Sequence, residues 1–179
     1  MQLEKILAQA GELIEYKKGD IIFAQGKFDD YLYNVKQGCL KAYYITDSGK
    51  EYVKSFIIEN DFIASLSSYR SPDENCKYSL VCLEKSVLLR LKLSHIFKII
   101  EQEPTLAVHI FDMLINILLK KEQREFEFLC LSAEERYFQI KQYRPELFNR
   151  ATQYDIAGYL GITPVALSRI KTRTAKMTV

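Results

Sequence analysis

Apolar and polar residues alternate between Leu13 and Lys92, and this alternation limits the folds open to the chain. A period of two is typical of β-strands with one buried face, and glycines separate the alternating runs. The clearest runs place apolar residues at Tyr31, Tyr33 and Val35; Leu40, Ala42 and Tyr44; Tyr78, Leu80 and Cys82; and Val87, Leu89 and Leu91. About eight short strands at this spacing predict a closed or sandwich-like β structure. A parallel Rossmann sheet is disfavoured because no long helical segments alternate with the strands.

Helical patterns lie on both sides of the strand region. Residues 3–10 predict a short helix that stops at Gly11, and Ser94 is the predicted N-cap of a helix that ends at Pro104. No Gly or Pro then interrupts residues 105–131. We therefore predict an α+β protein with one helix of roughly 25 residues, about 40 Å long.

The first half of this long helix is apolar on two opposite sides. One stripe consists of Leu106, Ile110, Met113, Leu114 and Ile117, and the other of Phe111, Ile115 and Leu118. A single neighbour cannot cover both stripes, so the helix is expected to pack on its own β domain and on a second copy of itself. We assign the first stripe to the dimer interface. The alternative is burial of both stripes within one subunit.

The C-terminal quarter contains the signals of short, capped helices. Ser132 and Glu135 have capping-box spacing, and Arg144 before Pro145 ends the helix that they begin. Thr152 is the expected N-cap of the next helix, which ends at Gly161. Because Thr163 and Pro164 then open a further helix, we predict a helix-turn-helix.

The outer face of the second of these helices carries Val165, Ser168 and Arg169 and no acidic residue. Residues 136–179 contain eight Lys or Arg and two acidic residues, a local charge of +6, whereas the rest of the chain carries −4. Arg can bind guanine bidentately in the major groove, and basic side chains release counterions from phosphates. We therefore assign base readout to Arg169, Ser168 and Val165. The alternative is a helical hairpin that only covers the core.

Phosphate contacts are assigned to basic residues and to one helix end on the exposed side of the same two helices. These residues are Lys171, Arg173, Lys176, Arg150 and Thr152.

Residues 11–173 resemble bacterial transcription regulators of the Crp/Fnr type, named after the cyclic-AMP receptor protein and the fumarate-nitrate regulator. The resemblance is carried by KKGDIIFAQG, YLYNVKQGCLKAYY, the DSGKE turn, NDFIASL, EQEP and AEERY, and most specifically by ATQYDIAGYLGITPVALSRIK. It implies a β-roll, or double-stranded β-helix, like a cyclic-nucleotide-binding domain in residues 1–103. It also implies a dimerisation helix in residues 104–131 and a DNA-binding domain in residues 132–179. Duplex DNA, a second copy of the chain and RNA polymerase are the implied partners.

Two departures from the family pattern affect the expected function. Members that bind cyclic AMP use a Gly-Glu pair and a following Arg, where this chain has Ala64-Ser65 and Cys76-Lys77-Tyr78. We expect a degenerate effector pocket at these five residues, an unknown effector and no response to cyclic AMP. Only TAKMTV follows Arg173, so no C-terminal wing is expected.

Other functions are disfavoured by the residues available. Cys39 and Cys82 lie in strand patterns and are expected to be buried, which leaves Cys76 as the candidate redox residue. His95 and His109 are the only histidines, too few for the metal cluster of a cupin enzyme, so neither a metal, a cofactor nor catalysis is expected. The acidic N-terminus and the shortness of the apolar segments predict a cytoplasmic protein without membrane insertion. A ligand-binding or signalling module whose helical tail contacts protein remains the alternative function.

Overall fold

The computed structural model describes residues 10–70 and 74–176. Within them the first half of the chain forms eight strands: β1 (Glu12–Tyr16), β2 (Ile21–Phe23), β3 (Tyr31–Gln37), β4 (Leu40–Ile45), β5 (Glu51–Ile57), β6 (Phe62–Ala64), β7 (Ser79–Cys82) and β8 (Ser86–Lys92). They make two four-stranded antiparallel sheets, ordered β1-β8-β3-β6 and β2-β7-β4-β5. The two sheets face each other as a β-roll. The predicted β architecture is confirmed.

Helices make up most of the second half of the described chain. They are α1 (Leu66–Arg70), α2 (Leu93–Gln102), α3 (Leu106–Cys130), α4 (Ala133–Tyr143), α5 (Leu147–Arg150), α6 (Gln153–Leu160) and α7 (Pro164–Lys176). The 25-residue α3 agrees with the predicted long helix. Residues 133–176 contain only helices and their connections. The predicted helix at residues 3–10 lies outside the described residues except for residue 10, which is helical. None of the described helices has a stretch long and apolar enough to cross a membrane.

The interior of the roll is rich in aromatic side chains. Strand alternation sends Leu40 and Ala42 of β4 inward, and both are fully buried. Phe23, Tyr33 and Tyr78 pack beside them, with ring centroids 6.0 Å apart for Phe23 and Tyr33 and 5.2 Å apart for Phe23 and Tyr78. The apolar faces of the strands thus form one hydrophobic core between the two sheets.

A second apolar cluster joins the β1-β8-β3-β6 sheet to α2 and α3. Leu89 and Leu91 of β8 point outward from the roll and pack with Ile96 of α2. The predicted N-cap at Ser94 is wrong: α2 begins at Leu93, whose N–H donates to the Asp30 carbonyl at 2.9 Å. A neighbouring strand end therefore supplies the acceptor that a cap side chain would have supplied.

A third cluster fixes the C-terminal helices to the other sheet. Cys39, Val53 and Phe56 on the outer face of the roll pack against buried residues of α4–α7. Helix α6 lies on β5 so closely that a Cβ atom at Gly158 would be 3.1 Å from Val53 Cγ2. The helix-turn-helix is consequently held in a fixed place on the roll.

Candidate nucleic-acid interface

Helix α6 begins with a capping box, as the sequence predicts. The Thr152 hydroxyl accepts the Asp155 N–H at 3.1 Å, and the Asp155 carboxylate accepts the Thr152 N–H at 3.3 Å. The helix ends at Gly161, whose φ of 72° lies in the left-handed region. The Thr163 hydroxyl accepts the Ala166 N–H at 3.2 Å at the start of α7. These caps bound two short helices with a tight turn between them.

The inner faces of α6 and α7 pack against each other through buried apolar side chains. Ile156, Leu160 and Leu167 are fully buried, and Ile170 is 7% exposed. Since 3.6 residues complete a helical turn, burial of Leu167 and Ile170 turns the opposite side of α7 to solvent. The orientation of α7 therefore follows from its own apolar spacing.

Val165, Ser168 and Arg169, the predicted base-reading residues, are all exposed on α7. The Val165 side chain is 62% exposed. Thr172 is exposed on the same face one turn after Ser168, and its hydroxyl donates to the Ser168 carbonyl at 3.1 Å. Thr172 was absent from the predicted set, although its spacing of three and four residues from Arg169 and Ser168 could have indicated it.

The predicted phosphate-binding residues do not form one group. Lys171 Nζ donates to Gln153 Oε1 of α6 at 3.1 Å, and Arg173 Nε donates to Glu134 Oε1 of α4 at 3.0 Å. Both basic residues are exposed beside the face of Arg169, and Lys176 lies in the last turn of α7. Thr152 lies at the start of α6, where its hydroxyl accepts a hydrogen bond from the Asp155 N–H.

Arg150 has a different location from the one the sequence suggested. Its guanidinium is 2.7 Å from Glu59 Oε1 and 2.5 Å from Glu84 Oε1, and its side chain is only 19% exposed. Arg150 holds the pKa of Glu59 at about 2 through these hydrogen bonds. We therefore revise its assignment: Arg150 joins α5 to the roll, and its charge is not free for a phosphate.

A second ionic contact between the roll and the helices was not predicted. Lys41 of β4 is buried and donates to Asp155 at 2.8 Å and to Glu51 at 2.9 Å. Burial raises the pKa of Asp155, but hydrogen bonds from Lys41 and Thr152 lower it by more, so the net shift is downward. The N-cap carboxylate of α6 thus also anchors this helix to β4. Sequence could show the cap but not the distant lysine.

Two arginines connect α3 to the helix-turn-helix. Arg124 donates to the Tyr159 carbonyl and lies 3.7 Å from the centroid of the Tyr159 ring. Arg136 donates to the Leu131 carbonyl at 2.5 Å and to the Leu160 carbonyl at 3.0 Å. Positive groups at helix C-termini satisfy free carbonyls and oppose the helix dipole. These contacts join α3 and the first turn of α4 to the C-terminal end of α6.

The predicted dimer stripe faces mostly inward. Leu106 is 1% exposed, and Ile110 and Met113 pack against the roll in the cluster with β8 and α2. Ile117 is half-buried, and only Leu114, at 40% exposed, lies open. The large apolar residues open to solvent on the first half of α3 are Val108, Phe111, Leu114, Ile115, Leu118 and Leu119, which we call the open stripe. Leu106, Ile110 and Met113 of the first stripe thus pack on their own subunit, whereas Leu114 belongs to the open stripe.

Three of the five residues of the predicted effector pocket are buried, namely Ser65, Cys76 and Tyr78. The Tyr78 hydroxyl donates to the Ala64 carbonyl at 2.8 Å. Ser65 is fully buried, Cys76 is 2% exposed and Lys77 is exposed. Cys76 is therefore not the accessible redox thiol that the sequence suggested. Among the described cysteines, Cys39 and Cys82 are also buried, while Cys130 at the end of α3 is exposed.

Comparison with known proteins agrees with this architecture. Residues 13–103 match the family described as "Cyclic nucleotide-binding domain". The chain is 28% identical over 172 residues to the transcriptional activator protein Anr of Pseudomonas protegens, covering 88% of this chain and 68% of Anr. The chain belongs to the Crp/Fnr family of transcription regulators. It is also 25% identical over 191 residues to the anaerobic regulatory protein of Pasteurella multocida, covering 97% of this chain and 68% of that protein.

The fold of this Crp/Fnr protein is similar to that of FixK2 from Bradyrhizobium japonicum. The TM-score is 0.76 at 17% identity, and the match covers 94% of this chain and 86% of FixK2. Such a match supports the order of roll, long helix and helix-turn-helix found here. In the part of the chain that the structure describes, no group of three His, Cys, Asp or Glu side chains could hold a metal ion.

Proposed function

We propose that the protein is a homodimeric transcription regulator that binds a palindromic DNA site through α7. The observation that carries this proposal is the outer face of α7, where Arg169 stands between Val165 and Thr172 and no acidic residue interrupts. The inner face of the same helix is fixed by Leu167 and Ile170. A rigidly held, basic helix fits the width of the B-DNA major groove.

Each exposed residue of this face has a role suited to its chemistry. Arg169 binds a guanine bidentately through O6 and N7, and Val165 contacts a thymine methyl. Ser168 and Thr172 hydroxyls contact base edges or sugar–phosphate oxygens. Sequence preference then depends mainly on Arg169.

Phosphate binding is assigned to Lys171, Arg173, Lys176 and the start of α6 at Thr152. Arg173 is paired with Glu134, but its side chain is 62% exposed. Exposed ion pairs contribute only about 0–1 kcal/mol, so a phosphate can replace Glu134. Arg150 is excluded from this set because Glu59 and Glu84 already neutralise it.

Dimer formation is assigned to the open stripe of α3. Val108, Phe111, Ile115 and Leu118 follow one another at spacings of three, four and three residues, the pattern of a coiled-coil seam. A two-fold axis along this seam presents two α7 helices to successive major grooves, about 34 Å apart. The cytoplasm is the proposed location, and RNA polymerase is the proposed partner of the DNA-bound dimer.

Cyclic AMP is not the proposed effector. The position of a ribose-binding carboxylate is taken by Ser65, and Tyr78 is bonded to the Ala64 carbonyl across the pocket. No guanidinium follows at Cys76 or Lys77 to bind the phosphate. A regulator with this pocket binds DNA without cyclic AMP.

Selection of binding sites from genomic fragments, followed by anisotropy titrations, tests the function. Arg169→Ala is expected to weaken the selected site by about 1–3 kcal/mol and to affect random DNA less. Lys171→Ala is expected to weaken both DNAs alike and to lower the salt slope by about 1. Lys85→Ala, on the distant roll surface, is the control and leaves both affinities unchanged.

Equal losses on selected and random DNA would remove Arg169 from base readout. If no fragment bound with a salt-dependent affinity, the tail would contact protein instead, and the regulator assignment would fail. The present observations favour DNA because α7 is basic and its outer face lacks the large apolar surface of most protein-binding helices.

A further inference from the structure

Two ionic contacts tie the segment that leads into α6 to the roll. Arg150, at the end of α5, donates to Glu59 Oε1 at 2.7 Å and to Glu84 Oε1 at 2.5 Å. Asp155, in the first turn of α6, accepts a hydrogen bond from Lys41 Nζ of β4 at 2.8 Å. The chain that enters α6 is therefore held on the roll both before and after its N-cap.

Apolar side chains of the same sheet also pack on α6. Val53 and Phe56 of β5 are buried against the helix, and the rings of Phe56 and Tyr159 have centroids 5.3 Å apart. Ile156 of α6 is fully buried in the same cluster. Packing of this kind favours burial without selecting one orientation of the helix, because the hydrophobic effect is non-directional.

The ionic contacts supply the direction that apolar packing lacks. The side chains of Lys41 and Asp155 are only 11% and 7% exposed. A shift of α6 along β5 would leave both charges unpaired and withdrawn from water, which is far more costly than the loss of an exposed ion pair. Hydrogen bonds from the Arg150 guanidinium have strict geometry as well. One arrangement of α6 on the sheet satisfies both contacts.

The other sheet of the roll carries α3, the helix with the open stripe. Ile110 and Met113 of α3 pack with β8 and α2, whereas α6 lies on β5. Helix α7 follows α6 after the short turn at Gly161 and packs in the α6 cluster through Leu167 and Ile170. Each subunit is thus a rigid spacer between its open stripe and its recognition helix.

We propose that Lys41 and Arg150 are positioning residues that set the distance between the two DNA half-sites read by a dimer. They do so by holding each α7 on its own roll without an effector. This inference rests on the proposed function, because it requires a dimer that binds a palindromic site. One base pair inserted between the half-sites moves them about 3.4 Å further apart and turns one against the other by about 35°. Recognition helices that are held in this way cannot follow such a change.

Anisotropy titrations of the full chain, without added effector, test the inference with three DNAs. These are the selected palindrome, the same palindrome with one base pair inserted between its half-sites, and a single half-site. For the unsubstituted protein, the insertion is expected to weaken binding by at least about tenfold. Arg150→Gln is expected to reduce this penalty to about threefold or less and to leave the affinity for the single half-site within about twofold. Lys41→Met is expected to reduce the penalty in the same way.

Two control variants separate positioning from charge and from stability. Arg90→Gln makes the same substitution on the other sheet, where Arg90 pairs with Glu12 of β1. Val35→Ala leaves a cavity in the core between the sheets, where Val35 is fully buried, outside the cluster that contains α6. Both controls are expected to keep the full penalty of the inserted base pair.

Arg150→Gln decides the outcome if Lys41→Met does not fold. Its partners Glu59 and Glu84 are each 37% exposed, so the substitution leaves no buried charge unpaired. The inference fails if the unsubstituted protein binds both spacings alike, if Arg150→Gln keeps the full penalty, or if Val35→Ala reduces the penalty as much. In each of these cases binding to the palindrome still supports the proposed function. Absence of binding to all three DNAs would reject the proposed function, and this inference with it.

Discussion

Gly161 meets two steric requirements at one position. Its φ of 72° ends α6 in the left-handed region, and a Cβ atom there would lie 2.7 Å from Cζ of Phe128. Gly161→Ala is therefore expected to lower the free energy of unfolding by about 2–4 kcal/mol, from backbone strain together with overpacking. Urea unfolding monitored by circular dichroism measures the change.

Substitution of Gly49 distinguishes the cost of backbone strain from the cost of overpacking. Its φ of 77° is similar, but nothing lies within 4 Å of a Cβ built there. Gly49→Ala is expected to lower the unfolding free energy by only about 1 kcal/mol. Similar losses in both variants would mean that Phe128 moves aside and that the ring does not constrain the turn.

The role of a single residue could be predicted from the sequence when it depends on residues close by in the chain. The caps at Ser132, Thr152 and Gly161 depend on neighbours within a few positions, so the sequence revealed them. Phe128 above Gly161, and Lys41 beside Asp155, depend on chain segments 33 and 114 residues apart. No local pattern encodes such a pairing.

At the scale of elements, the ion pairs of Arg150 connect α5 to the roll and depend on pH. Glu59 has a pKa of about 2, below its ordinary 4.5, through hydrogen bonds from Arg150. Its contribution to stability is therefore complete above about pH 4.5 and is lost as the pH falls towards 2. Because the Glu59 side chain is 37% exposed, water screens the pair, and we expect roughly 1 kcal/mol or less.

Urea unfolding at pH 6 and pH 3 tests this contribution. The unsubstituted protein is expected to lose more stability between these pH values than Glu59→Gln. Glu15→Gln, which removes a fully exposed pair with Lys85, is the control and should behave like the unsubstituted protein. If Glu59→Gln lost as much stability as the unsubstituted protein, the ion pair would not stabilise the docked helices.

Helix α3 shows why an element can be predicted while its environment cannot. The absence of Gly and Pro gave its length, and its two apolar stripes indicated two neighbours. Which stripe faces the roll depends on how α2 turns the chain after β8. Ile110 and Met113 reach the roll, so part of the stripe that was predicted as the interface packs on its own subunit.

At the scale of the whole molecule, the unpredicted feature is the docking of the C-terminal helices on the roll. Val53 and Phe56 of β5 are three residues apart, so strict alternation would place them on opposite faces of the sheet. They pack instead with α6, because a register shift in the pairing of β4 with β5 changes which residues face outward. The β-roll and helix-turn-helix were predictable separately, and their contact was not.

Assembly provides the last prediction, since a single subunit leaves the open stripe of α3 in water. Leu118 is 58% exposed and lies near the C-terminal end of this stripe. In a two-fold dimer Leu118→Glu acts twice, and each copy removes about 1.5–3 kcal/mol of apolar burial. The dimer dissociation constant is therefore expected to rise by at least about 100-fold, with a matching loss of affinity for a two-half-site DNA. Sedimentation equilibrium measures the dimer dissociation constant, and anisotropy measures the affinity for DNA.

Leu13→Glu places the same charge on β1, where Leu13 is 64% exposed, and should leave both the dissociation constant and the DNA affinity unchanged. A Leu118→Glu protein that stayed fully dimeric would place the interface elsewhere, and the proposed spacing of the two α7 helices would lose its basis.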